Sequence, residues 1–245
     1  MTAAAMLATL GAVATGLKPH PGGDPTSAPA PAAGAGPTGA VDRGAGAPIT
    51  VTVRPDVRDA ECDKYLVNRP PSEVPRPPAV VDVPGWAAET GAVVGHYQSI
   101  ELTVQGIGSE TVVLTALNVR IARIAAPLAW NAYSMGEGCG GGVDLHSYDL
   151  DLDAARPRPV VTAGSTGLPV KVSERDPEVI EVTAETTSHD VSWYLELEWS
   201  SGNRTGTLPI GVRDGVPFRI SAVKGRPLFS YPIDGKAWKP SAFQE

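Results

Sequence analysis

The chain has 245 residues and a formal net charge of −7, and 19% of its residues are charged. This acidic balance argues against a nucleic-acid-binding surface, which needs clustered Lys and Arg side chains. A hydrophobic share of 42% is enough to build a core, while 24 prolines and 27 glycines indicate many turns or a segment without a fold of its own.

Residues 2–17, TAAAMLATLGAVATGL, form an apolar stretch without a charge. The stretch is shorter than the roughly 20 residues that span a bilayer, and Ala12-Val13-Ala14 fits the small-x-small pattern of a signal-peptidase site. Three interpretations stay open: a cleaved signal segment, part of a longer transmembrane anchor that begins upstream, or an alanine-rich disordered tail. The first two place the rest of the chain outside the cytoplasm.

Pro, Gly and Ala dominate residues 18–47, so this segment has little apolar area to bury against the entropy cost of ordering. We therefore predict three parts: an apolar anchor or signal segment over 1–17, a disordered linker over 18–47, and one domain over 48–245. This is the layout of an extracytoplasmic module on a tether, held at the membrane by its N-terminal segment.

From Pro48 onward the hydrophobic period is two residues, which is the period of a β-strand. The predicted strands cover 49–54, 99–107, 111–125, 146–154, 178–188, 190–201, 204–212 and 216–221. A hairpin turn is expected at Ser201-Gly202-Asn203. Only residues 84–93 have a helical pattern, and that segment is short.

Short strands separated by Gly and Pro predict an all-β fold, an antiparallel β-sandwich of immunoglobulin-like layout with one short helix. Many prolines fall between Cys62 and the strand at residue 99, and proline cannot occupy a central strand. We expect this segment to lie extended over the surface or edge of the sandwich.

Gly136, Gly138 and Gly141 have the G-x-G-x-x-G spacing of a dinucleotide-binding loop. Such a loop needs a helix after it to receive the pyrophosphate, but the following residues, VDLHSYDLDLD, alternate as a strand. Turn geometry explains the glycines better, so no cofactor is predicted.

The carboxylates of Asp149, Asp151 and Asp153 have the first spacings of a calcium loop, but its later positions lack the required Gly and Glu. A solvated strand face is the favoured interpretation, and a calcium site with Glu137 or Asp144 is the alternative. Two cysteines without a nearby histidine do not make a zinc site, so no metal is predicted.

Ser188-His189-Asp190 contains the residue types of a catalytic triad, but sequence neighbours on a strand point to opposite sides. His96 and His146 are interpreted as hydrogen-bonded surface groups. Glu196 and Glu198 share the strand face opposite the Leu/Trp face and are expected to be solvated. No catalytic residue is predicted.

Cys62 and Cys139 are the two cysteines of the chain. An even pair in an exported protein most often forms one bridge, so we predict a disulfide between them. Closing a loop of roughly 80 residues would stabilise the fold by roughly 4.5 kcal/mol in the chain-entropy model. The bridge would tie the proline-rich segment to the sandwich.

Four segments carry a resemblance to a known group: ECDKYLVNRPPSEVPRPP (61–78), MGEGCGG (135–141), DPEVIEVTAET (176–186) and DVSWYLELEWSSGNRTGTL (190–208). They resemble the exported C-terminal domain of uncharacterised actinobacterial proteins that are described as transcriptional regulators. In that group a cytoplasmic helix-turn-helix domain precedes one transmembrane helix and this domain. No helix-turn-helix segment occurs in this sequence, so the resemblance does not imply that this chain binds DNA.

The expected function is that of a non-enzymatic, membrane-tethered extracytoplasmic domain that senses or binds a cell-envelope ligand or protein, as the outer part of a one-pass regulator. Two alternatives stay open. An exported cell-envelope hydrolase would need two carboxylates facing one cleft, and a structural or adhesion module would expose an apolar patch, for which Trp238 and Phe243 are candidates.

Overall fold

Two β-sheets and one α-helix make up the part of the chain that a computed structural model describes, which is residues 40–42, 46–55, 64–79, 82–136, 146–213 and 215–241. One sheet has six strands and the other has ten. Contacts group residues 36–245 into one compact unit.

The six-stranded sheet has the spatial order β1-β2-β5-β11-β8-β9. Its strands are β1 (Ala40–Asp42), β2 (Ile49–Pro55), β5 (Tyr97–Gly106), β8 (His146–Asp151), β9 (Val160–Val161) and β11 (Glu178–Glu185). Strand β11 pairs antiparallel with β5 on one side and parallel with β8 on the other.

The ten-stranded sheet has the order β10-β6-β12-β14-β4-β3-β7-β15-β16, and β13 also pairs with β12. Its strands are β3 (Lys64–Val67), β4 (Val93–Gly95), β6 (Val112–Ala125), β7 (Asn131–Ser134), β10 (Val170–Val172), β12 (Asp190–Ser201), β13 (Arg204–Ile210), β14 (Phe218–Ser221), β15 (Leu228–Ser230) and β16 (Lys239–Pro240). The long strand β12 lies beside β6 along almost its whole length.

The main core is one cluster of apolar side chains that come from both sheets. Its fully buried members include alternate residues of β5 and β12: Ile100, Leu102, Val104, Trp193, Leu195 and Leu197. Each such side chain contributes about 1.5–3 kcal/mol through removal of apolar area from water. The period-two pattern therefore decides which face of each strand is buried.

These features confirm the predicted all-β sandwich with one short helix. The sheets are mixed, however, because β8–β11, β4–β14 and β7–β15 are parallel pairs. Parallel neighbours need a long connection instead of a hairpin, and the chain supplies one between each of these strand pairs.

The expectation for the segment between Cys62 and residue 99 is wrong in part. Lys64–Val67 and Val93–Gly95 are strands inside the ten-stranded sheet, and Tyr65 and Leu66 are fully buried there. The prolines lie outside these strands: Pro70 precedes a 3-10 turn at Pro71–Glu73, three more lie in the extended residues after the turn, and Pro84 lies in the helix. A run of only four β-forming residues beside prolines was too short to predict a central strand.

The predicted helix is α1, Val83–Thr90, which has a proline in its first turn. It ends at Gly91, which has the left-handed φ of 67° that glycine adopts without steric cost and donates its N–H to the Ala87 carbonyl oxygen. Trp86 is the large apolar side chain that α1 buries.

Ala40–Asp42 falls within the predicted linker, yet it pairs antiparallel with β2 as β1. The open edge of β2 offers unpaired backbone groups, which explains why a short linker segment pairs there. The apolar stretch 2–17, the rest of the linker through residue 39, and both cysteines lie outside the described residues. Among the described residues, no helix has the length and apolar character needed to cross a membrane.

Candidate functional site

The Asp153 carboxylate joins the end of β8 to the turn between β11 and β12. It accepts hydrogen bonds from the Thr187 backbone N–H (2.7 Å), the Thr186 hydroxyl (2.7 Å), the Thr187 hydroxyl (3.0 Å) and His189 Nδ1 (2.7 Å). The turn is short, so one carboxylate reaches donors on three of its residues. This cluster is a polar clasp between two neighbouring loops.

Burial alone would raise the pKa of Asp153, but the hydrogen bonds from Thr187, His189 and Thr186 outweigh it and lower the pKa to about 2. The carboxyl is therefore ionised at neutral pH, and as an acceptor it fixes the His189 tautomer with the proton on Nδ1. His189 itself is 40% exposed.

The structure places the members of Ser188-His189-Asp190 in different surroundings. His189 bonds to Asp153, while the Ser188 hydroxyl lies 3.4 Å from the Thr187 hydroxyl and Asp190 bonds to two arginines. An Asp–His pair orients an imidazole, but acyl transfer also needs a nucleophile within hydrogen-bond reach of Nε2. Among the described residues, the His189 imidazole bonds only to Asp153, and Thr186 bonds to the backbone of His189.

Asp190 begins β12 and its side chain is only 1% exposed. It accepts bonds from Arg123 Nη1 (2.7 Å), Arg219 Nε (2.9 Å) and Arg219 Nη2 (3.0 Å). Burial would raise the pKa of Asp190, but the bonds and charges of Arg219 and Arg123 outweigh it and lower the pKa. This ionic cluster links β6, β12 and β14.

Glu196 and Glu198 lie on the outer face of β12, as predicted, but each has a specific partner. Glu196 accepts a bond from Arg120 Nε at 2.8 Å, and Glu198 accepts one from Asn118 Nδ2 at 2.8 Å. They bridge β12 to β6 instead of facing one cleft.

Two of the three predicted surface aspartates are exposed, Asp149 and Asp151, whereas Asp153 turns into its clasp. Among the described residues no group of three or more His, Cys, Asp or Glu could hold a metal ion. Glu137 and Asp144 lie outside those residues.

The histidine predictions differ in outcome. His146 is 5% exposed, so the surface assignment is wrong: its Nδ1 lies 3.0 Å from the Thr166 carbonyl oxygen and its Nε2 lies 3.3 Å from Glu178. His146 lies on the buried face of β8. Its partner Thr166 is not close to it in the sequence, so the local pattern did not predict the contact. His96 is half-buried, with a φ of 69° and its ring centroid 3.8 Å from that of Tyr97.

The most distinctive surface feature is residues 70–79, PPSEVPRPPA, which we name the strap. Pro70 has φ −69° and ψ 156°, the polyproline II region. Apart from Val74, every strap residue is exposed or half-buried. The strap therefore presents proline rings to solvent.

Two tryptophans hold the centre of the strap. Trp238 Nε1 lies 3.0 Å from the Val74 carbonyl oxygen and 3.1 Å from that of Pro75, and Trp86 Nε1 lies 3.4 Å from the Pro75 oxygen. Buried indoles need an acceptor, and a proline-rich segment offers carbonyl oxygens that no strand uses. The strap is thereby fixed without belonging to a sheet.

The start of the strap is fixed as well. The Tyr133 hydroxyl donates to the Arg69 carbonyl oxygen at 2.9 Å, and Asn131 Nδ2 donates to the same oxygen at 3.3 Å. Burial raises the pKa of Tyr133, which keeps its hydroxyl protonated as a donor. Side chains of β7 thus hold the residue just before the strap, while Trp86 of α1 and Trp238 hold its centre.

The two tryptophans that hold the strap pack against tyrosine rings. Trp238 packs edge-to-face on Tyr133 (4.9 Å between ring centroids) and on Tyr231 (5.4 Å), and Trp86 packs edge-to-face on Tyr65 (5.9 Å). A shallow depression borders the second half of the strap and is lined by Arg76, Pro77, Pro78, Ala79, Asp82 and Tyr231.

The proposal of an exposed aromatic end is wrong for Trp238, which is 6% exposed; Phe243 lies outside the described residues. Sequence reasoning missed the clamp because Trp238 and Val74 are 164 residues apart, and no local period connects them. One feature of the sequence indicated such a contact: a proline run occurs together with tryptophans, Trp86 and Trp238, that fall outside the predicted strands.

Cys62, Cys139 and the glycines Gly138 and Gly141 lie outside the described residues, so the disulfide stays a prediction. Strands β3 and β7 are neighbours, with Lys64 opposite Ser134. Cys62 lies two residues before the first of these residues and Cys139 five after the second, so the described strand ends that lead toward the two cysteines are neighbours.

Comparison with protein-family models, curated proteins and solved structures finds no match to this chain.

Proposed function

We propose that this chain is a non-enzymatic, membrane-tethered extracytoplasmic domain that binds a protein of the cell envelope through the strap. The observation that carries the proposal is the clamp of Trp86 and Trp238 on the strap carbonyl oxygens. It holds an exposed, proline-rich segment in one conformation.

A segment that is ordered before it binds loses little conformational entropy in the complex. Exposed proline-rich segments are recognised by grooves lined with aromatic side chains. Pro75 and Arg76 are exposed on the strap, and Pro77 and Pro78 are half-exposed beside the depression. The partner class is therefore a protein with an aromatic-lined groove.

The resemblance to exported domains of membrane-anchored regulators supports the compartment and the tether. In that reading, residues 2–17 hold the chain at the membrane, and the strap is the sensing or binding surface of the outer domain. The predicted disulfide between Cys62 and Cys139 would support the same assignment, because disulfides persist in oxidising compartments outside the cytoplasm.

Localisation is tested by labelling intact cells of the native host with a membrane-impermeant amine reagent. Lys224 and Lys236 are exposed, so they are expected to react before lysis, while a cytoplasmic control protein does not. Labelling that appears only after lysis would contradict the extracytoplasmic assignment.

Binding is tested by cosedimentation of the full chain with cell envelopes isolated from the same host. We expect Arg76→Glu to reduce cosedimentation, and Arg175→Glu, an equal charge change at another exposed arginine, to leave it unchanged. Protease treatment of the envelopes should abolish the Arg76-dependent part. Equal sedimentation of both variants would refute the strap as the binding surface.

A further inference from the structure

Three arginines lie on the outer face of the ten-stranded sheet, and we name them the arginine patch: Arg120, Arg123 and Arg219. In the strand register, Ser192 lies directly opposite Arg123 of β6 on one side and Arg219 of β14 on the other. Directly opposed residues share a face of the sheet. The Ser192 side chain therefore shares this face with the side chains of Arg123 and Arg219.

Asp190 orients both of these groups. Its Oδ2 accepts from Arg123 Nη1 at 2.7 Å and from Arg219 Nη2 at 3.0 Å, and its Oδ1 accepts from Arg219 Nε at 2.9 Å. Because the two arginines share one oxygen atom, their guanidinium groups lie within a few ångströms of each other before any ligand arrives. A buried carboxylate at this position keeps them from moving apart.

The charge of this arrangement is not balanced. One carboxylate faces two guanidinium groups, while the third arginine, Arg120, is bonded to Glu196 at 2.8 Å and stacked 4.3 Å above the Tyr194 ring. The Arg123 and Arg219 side chains remain 56% and 39% exposed. On a chain with a net charge of −7, this is a local excess of one positive charge.

Donors remain available at the same place. Arg123 uses only Nη1 on Asp190 and Arg219 uses Nε and Nη2, and their other N–H groups have no partner among the described residues. Guanidinium groups bind phosphate-type oxyanions through paired, charge-assisted hydrogen bonds. Two of them held side by side match the several oxygens of such an anion.

We propose that Arg123, Arg219 and the Ser192 hydroxyl form a binding site for a phosphate-class oxyanion. The site lies on a different surface from the strap and does not depend on the proposed protein partner. In an envelope the anion is either a free phosphate group or the headgroup of an anionic phospholipid, and both present the same oxygens.

The first test is titration of the full chain with inorganic phosphate, followed by NMR amide shifts. We expect saturable shifts near residues 123, 192 and 219, with a dissociation constant in about the millimolar range. Arg123→Gln should weaken binding about tenfold through loss of charge-assisted bonds.

Arg54→Gln is the matched control. Arg54 also donates one Nη1 bond to a carboxylate, Glu101 at 2.9 Å, and its side chain is 53% exposed, close to the 56% of Arg123. The control should bind phosphate like the wild type. Ser192→Ala, which leaves the Asp190 cluster intact, should weaken binding about two- to threefold through loss of one neutral hydrogen bond.

The second arm compares vesicles that contain phosphatidylglycerol with vesicles of phosphatidylcholine alone. Anionic-vesicle binding that falls in Arg123→Gln but not in Arg54→Gln identifies a headgroup, while phosphate binding without that difference identifies a free phosphate group. The proposal is overturned if phosphate causes no saturable shift at these amides, or if Arg123→Gln, shown to be folded by thermal unfolding, and Arg54→Gln behave alike in both arms.

Discussion

Replacing Asp153 with asparagine tests whether its carboxylate clasp stabilises the fold. Asparagine is nearly isosteric and keeps an acceptor oxygen, so the change removes the charge and leaves the shape. Hydrogen bonds from Thr187, His189 and Thr186 hold the folded-state pKa of Asp153 at about 2, against an ordinary value of 3.8. A depression of this size corresponds to about 2 kcal/mol of stability when the carboxyl is ionised in both states.

The sign of the pH dependence follows from the depressed pKa. The stabilisation is fully present above the unfolded-state pKa and is lost as pH falls through the folded-state value. The window therefore runs from pH 4 down to pH 2, and roughly half of the contribution should remain near pH 3.

Urea unfolding of wild type and Asp153→Asn at pH 5, 4 and 3 measures the effect as a difference in free energy of unfolding. We expect about 2 kcal/mol at pH 5 and a clear decrease at pH 3. Asp149→Asn, at an exposed aspartate of β8, the strand that Asp153 follows, should change stability by no more than about 0.5 kcal/mol. A difference that is absent at pH 5, or that stays constant to pH 3, would refute the reasoning.

Three further predictions concern packing and the cysteines. Trp238→Phe keeps aromatic bulk but removes the indole donor, so it should lower the free energy of unfolding by about 1–3 kcal/mol in urea titrations and increase hydrogen exchange of the strap; unchanged exchange would argue against the clamp. Gly211→Ala places a Cβ against the backbone of the adjacent turn and should cost about 2 kcal/mol or more, whereas Gly85→Ala, in open space on α1, should stabilise by up to about 1 kcal/mol in the same titrations. Mass spectrometry of the protein from its native host, alkylated without and with reductant, should show Cys62 and Cys139 joined; two free thiols would rule out the bridge.

The strands were predictable wherever a long period-two pattern decided which face is buried. Strand β12 has its predicted bounds, Asp190–Ser201, because alternation of large apolar with polar residues leaves one register that buries Trp193 and Leu195. The hairpin after it was equally local: Ser201 pairs with Arg204, and Gly202 has a φ of 60° in the turn.

The elements that the sequence did not predict depend on distant partners. Strand β3 has only four residues and is stabilised by β4 and β7 on its two sides, and its paired residues in both strands lie far from it in the chain. Its local composition, beside a proline run, favours a loop. Short inner strands of this kind are decided by tertiary pairing and not by propensity.

The candidate sites follow the same rule. A solvated aspartate face was predicted correctly for Asp149 and Asp151, but the clasp of Asp153 needed the turn at Thr186–His189 to come close. Asp190, Arg123 and Arg219 lie on three different strands, so their cluster has no sequence period. The strap was predictable from its proline run, whereas its contacts with the indoles of Trp86 and Trp238 were not.

The most direct test of the proposed function is site-specific photo-crosslinking in intact cells of the native host. A benzoylphenylalanine residue in place of Arg76 is expected to give one discrete adduct with an extracytoplasmic protein, and this adduct should weaken when Trp238→Phe loosens the strap. The same probe in place of Arg175 should give no such adduct. No adduct from position 76, or the same adducts from both positions, would contradict the assignment of the strap as the binding surface.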